Sequence, residues 1–145
     1  MAKGYPDFFG TSIWPKYGTP IVTMAHGIVI ASGASPDLIT ITANGVLFDL
    51  RVEIVGISDL AWTRVSLSID GAVMANSWAP LDPDYAVFAG EALIIAPIYY
   101  DKAAFIFKVS LKREIPFHDS FNVLIRNDSA NNITGSVDTV HYVVT

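Results

Sequence analysis

From Pro20 onward the chain is written in short runs of β-branched and aromatic residues whose apolar and polar positions alternate, and each run ends at Gly, Asn, Asp or Pro. Period-two alternation puts one set of side chains on one face of an extended strand, whereas a helix needs apolar residues every three or four positions. No stretch sustains the helical period, so the chain must fold mainly as sheets. The clearest run places Phe48, Leu50, Val52 and Ile54 on an inward face and Asp49, Arg51 and Glu53 on a wet one. Val65, Leu67 and Ile69 repeat the pattern against Arg64, Ser66, Ser68 and Asp70. Asp70-Gly71 then leads into 72–78, a two-residue connection that suits a type I′ turn with positive φ at both positions.

Phe105, Phe107, Val109 and Leu111 form a further half-buried strand, as do Phe121, Val123 and Ile125. The Val-rich run from Ser136 to Val144 is expected to pair with one of these two. With 21–31, 38–42 and 93–98 the count is eight or nine strands. Only Asp82-Pro83 offers a helix start, and Gly90 limits it to about two turns. Many short strands with almost no helix predict an all-β, two-sheet antiparallel β-sandwich, jelly-roll-like, because each sheet must bury one face against another. An immunoglobulin-like sandwich is the alternative, without its Cys-Trp-Cys core.

Residues 1–19 differ in kind. Gly4, Pro6, Gly10, Pro15 and Gly18 deny this segment a regular element, yet it carries Tyr5, Phe8, Phe9, Trp14 and Tyr17. A solvated tail has few aromatics. The chain therefore divides into an extended aromatic N-terminal arm, 1–19, and a β-sandwich domain, 20–145. The five aromatics are the candidate partner-binding residues, on a neighbouring subunit or a larger assembly; the alternative is that the arm caps its own sandwich.

Composition points the same way. The 145 residues are 52% hydrophobic and only 16% charged, against a usual charged fraction of about 25%, which favours an oligomer or a large docked interface. Nine Lys and Arg against 14 Asp and Glu give a net charge of −5 with no basic stripe, so nucleic acid is not an expected partner. The N-terminal residues show no secretory signal, and the most apolar stretch, 85–100, is broken by Gly90, Glu91 and Pro97, so no membrane span is expected either.

Equipment for catalysis is not recognisable. The chain has no cysteine, which excludes disulfides and thiolate sites. His26, His118 and His141 are far apart in sequence and lack metal-ligand spacing. His26, in an apolar strand, reads as buried or at an interface, His118 as solvated, and His141 as sharing a strand face with Val137, Thr139 and Val143. Asp82, Asp84 and Glu91 read as cap and solubility residues. No serine-nucleophile motif or phosphate loop occurs. The tract 127–132 offers oxygen ligands but no calcium-loop spacing, and reads as a hairpin loop. Trp62, Trp78, Tyr99 and Tyr100 are open to two readings, a sugar-stacking platform or core and interface packing. No metal or cofactor is expected, and the chain is not expected to be an enzyme.

The arm sequence Gly4-Tyr5-Pro6-Asp7-Phe8-Phe9-Gly10-Thr11-Ser12-Ile13-Trp14-Pro15-Lys16-Tyr17-Gly18-Thr19, leading into a small all-β domain, resembles small virion proteins of tailed bacteriophages and is most similar to capsid decoration (cementing) proteins. The resemblance implies a homotrimer of sandwich subunits on the capsid exterior, made in the host cytoplasm, that binds the major capsid protein through a terminal arm. A tail- or fibre-associated role and a carbohydrate-binding module are the alternatives.

Overall fold

The computed structural model describes residues 20–56, 63–79, 94–101 and 103–145, with side chains throughout except at 20 and 75–79. Among these residues there is no helix, and ten strands follow in order: β1 (Pro20–Ile30), β2 (Asp37–Thr42), β3 (Gly45–Gly56), β4 (Thr63–Ile69), β5 (Ala72–Ala79), β6 (Ile95–Asp101), β7 (Ile106–Leu111), β8 (Ile115–Phe117), β9 (Ser120–Asn127) and β10 (Ile133–Val144). They make two antiparallel sheets. Sheet A has the order β1-β10-β3-β7-β6, with β8 pairing β3 alongside β7, and sheet B the order β2-β9-β4-β5.

The alternating residues explain why the sheets stack. Leu50, Val52 and Ile54 of β3, Phe107 and Val109 of β7 and Val137 and Val140 of β10 meet Val65, Leu67 and Ile69 of β4 and Phe121, Val123 and Ile125 of β9 in one buried core. Removing each such side chain from water stabilises the fold by about 1.5–3 kcal/mol. Phe117, Phe121 and Tyr142 close one end edge to face, with centroids 4.9 Å apart for Phe117–Phe121 and 5.4 Å for Phe121–Tyr142. Gly135 lets β10 approach sheet B, since a Cβ there would lie 2.6 Å from Ile125 Cδ1 and 3.0 Å from Ile30 Cδ1.

The β4–β5 hairpin turns at Asp70 (φ 51°) and Gly71 (φ 83°), the left-handed pair expected of Asp-Gly. Other expectations are corrected. Phe48 does not face inward: His141 pairs with Asp49 but Tyr142 with Leu47, so Phe48 is the extra residue of a bulge, and Leu47 takes the buried position instead. Asp138 is a second bulge, between Val137 and Thr139, so His141 no longer shares a face with buried Val137. The C-terminal strand pairs with β1 and β3, not with β7 or β9. β8 adds a tenth strand around Pro116, and Ser66, read as wet, is buried. The helix expected at Asp82 lies outside the described residues.

Candidate interaction surface

Among the described residues β1 is the edge strand of sheet A, paired with β10 on one side. Its residues 20–30 include no Asp, Glu, Lys or Arg. Along it Val22, Met24 and Val29 are 57%, 59% and 67% exposed, and Ile21 and Ile28 are also exposed. The ladder to β10 is irregular between Thr23 and Ile28. There Gly27 takes φ 65° and its N–H donates to Ser136 Oγ at 3.0 Å, in place of a ladder bond. His26 is exposed rather than buried, its Nδ1 3.6 Å from Asp138 Oδ1, which leaves its interface reading open.

The charges of sheet A's outer face lie further in and pair with one another. Lys108 Nζ is 3.2 Å from Glu53 Oε2 across the β3–β7 pair, Arg51 Nε is 3.7 Å from Asp49 Oδ1, and His141 Nδ1 is 3.5 Å from Asp49 Oδ2 with its ring against Phe48. Such exposed pairs contribute about 0–1 kcal/mol each. Their effect is to set a charged centre beside an uncharged, apolar margin.

Tyr99 and Tyr100 do not form a shared platform, because consecutive strand residues point to opposite faces. Tyr100 packs against the core with its ring edge-on to Phe107, while Tyr99 is exposed under Lys108 Nζ, 5.7 Å from its ring. Trp62 and the side chain of Trp78 lie outside the described residues, as do the five arm aromatics Tyr5, Phe8, Phe9, Trp14 and Tyr17 and the acidic residues Asp82, Asp84 and Glu91.

Two carboxylates are held by backbone N–H groups. Asp70 accepts from His118, Asp119 and Ser120 at 2.7–3.1 Å, and the Asp119 and Ser120 bonds hold its pKa below the ordinary value. Asp101 accepts from Ala104, the main cause of its lowered pKa, and from Tyr99 Oη and the Ala103 N–H. Both are turn fasteners.

The tract 127–132 is not a hairpin loop: it carries the chain from β9 in sheet B to β10 in sheet A. Asn127 is fully buried there. Its Nδ2 donates to the carbonyls of Ile30 and Asn131, and its Oδ1 accepts from the N–H and Oγ of Ser129. These oxygens are thus engaged in fastening the loop. Among the described residues no three His, Asp or Glu side chains gather as a metal site would require.

No protein-family model matches this chain, and no curated protein matches it in sequence.

Proposed function

We propose that this chain is a structural protein of a tailed-bacteriophage virion, a homo-oligomer that binds the major capsid protein on the capsid exterior and stabilises the shell. We read its strand order as a jelly roll: β1-β10-β3-β7 lies against β2-β9-β4-β5, and successive strands cross between the sheets except at β4–β5 and along β6–β7–β8. Jelly rolls serve both in viral shells and in lectins, so the fold alone does not choose. The observation that carries the reading is the uncharged, exposed edge strand β1 following directly in sequence on the aromatic segment 1–19. An aromatic-rich stretch adjoining an uncharged, apolar one fits attachment to protein. A sugar platform at Tyr99 and Tyr100 finds no support in their opposite orientations. The three-fold arrangement comes from the resemblance.

The test removes the arm. A chain of residues 20–145 is expected to fold and melt close to the intact protein, because the described strands of the two sheets already bury an extensive core against one another. It is expected to lose co-sedimentation with expanded phage capsids. Trp14→Ala alone is expected to weaken attachment about tenfold or more, as a large aromatic anchor does. Unfolding of the truncated chain places the arm in its own core and refutes docking through it; undiminished capsid binding refutes it equally.

A further inference from the structure

We infer that the outer edge of β1 is the seam on which a second copy of this chain sits; the inference deepens the homo-oligomer part of the proposal above and names its surface. β1 has the sequence of an interior strand. Strands covered on both faces read as unbroken apolar runs, whereas an edge strand is normally guarded against unwanted pairing by charges, above all Lys, or by Pro within it. β1 has neither of these guards, and its one irregularity is confined to the middle of the strand between Thr23 and Ile28: over eleven residues its one Pro is the first, and no charged residue interrupts Ile21-Val22-Thr23-Met24-Ala25 or Ile28-Val29-Ile30. Both of its faces nonetheless carry exposed aliphatic side chains, Val22 and Val29 on one and Ile21 and Ile28 on the other.

Charge identifies the occupant. The chain carries −5, so copies repel except where they meet on neutral ground. A basic partner would need carboxylates on β1 and an acidic one would need cations; it has neither, and Asp138 on the neighbouring β10 is already beside His26. The edges β2 and β6 carry Asp37 and Asp101. A second copy brings the same long, uncharged, apolar strip, matching β1 in polarity and leaving no charge unpaired.

The test is sedimentation of the full-length protein and two variants at micromolar concentration, with melting curves to confirm folding. Val22→Lys/Val29→Lys places two ammonium groups on the seam at positions already open to water. Val73→Lys places one at the end of β5, the other uncharged edge. The intact protein is expected to sediment as a multiple of 15.7 kDa, with a melting temperature that rises with concentration. The β1 variant is expected at 15.7 kDa with neither property, and Val73→Lys is expected to behave as the intact protein does. A monomeric intact protein, a β1 variant that remains assembled, or dissociation by Val73→Lys alone overturns the inference. Capsid co-sedimentation of the same samples reads the docking proposal separately: an assembled protein that dissociates through β1 yet ignores capsids refutes docking and leaves the seam standing.

Discussion

Asp70 does two jobs with one side chain. Its backbone takes the left-handed conformation that a two-residue turn needs, and its carboxylate collects three successive N–H groups from the β8–β9 turn. Because those bonds favour the charged form, the folded-state pKa is lowered. A lowered carboxyl contributes stability above its unfolded value, about 3.9, and loses it as pH falls through the folded value. Asp70→Asn is therefore expected to melt below the intact protein at neutral pH, with the difference shrinking below about pH 4. A difference independent of pH would show that the charge is not what matters. Asn127 makes a sharper case, since Asn127→Ala would take the side-chain donor from the Ile30 carbonyl and the acceptor from the Ser129 N–H in a buried loop, leaving Ser129 Oγ to serve the Asn131 carbonyl. At about 1–3 kcal/mol for each of these two groups, a loss of about 2 kcal/mol or more is expected in denaturant unfolding. Asn127→Asp should fare no better, because a carboxylate cannot donate to two carbonyls.

Among elements, two of the glycines of sheet A, Gly135 and Gly45, separate two kinds of crowding. At Gly135 an added Cβ meets the flexible ends of Ile125, Ile30 and Leu38, which can yield at about 1–3 kcal/mol. At Gly45 it would run into the Val143 carbonyl oxygen, fixed by the β3–β10 ladder. Gly45→Ala is accordingly expected to lower the melting temperature more than Gly135→Ala; the reverse order would mean that the ladder end yields freely. The same strands show what alternation can and cannot disclose. Val65, Leu67 and Ile69, or Phe121, Val123 and Ile125, declare their buried face because nothing interrupts the period. Phe48 and Asp138 mislead because a bulge is set by pairing with another strand, which local sequence does not record. β8 is concealed by Pro116, and the partners of β10 by the long-range nature of the crossovers. The surface at β1 was half legible: the missing charges are plain in the sequence, but only the sheet order reveals that this strand lies at an edge.

For the whole molecule, the strand order makes the two ends of the described chain unequal. β10 separates β1 from β3 and pairs with both along its length, so it is the inner rib of sheet A although it is the last strand described. Removing residues 133–145 is expected to abolish cooperative unfolding, in contrast to removal of 1–19; a truncated chain that still melts cooperatively would show sheet B to be a folding unit by itself. That placement also sets a schedule during synthesis. β1 leaves the ribosome ahead of every other described strand, yet the residues that complete its ladder, from Ile133 opposite Ile30 to Val143 opposite Pro20, are translated after all the others. Such distant pairing is slow to form and leaves an apolar strand open to wrong partners in the meantime. Among the described strands, β1 is thus the one that a nascent chain leaves unpaired longest.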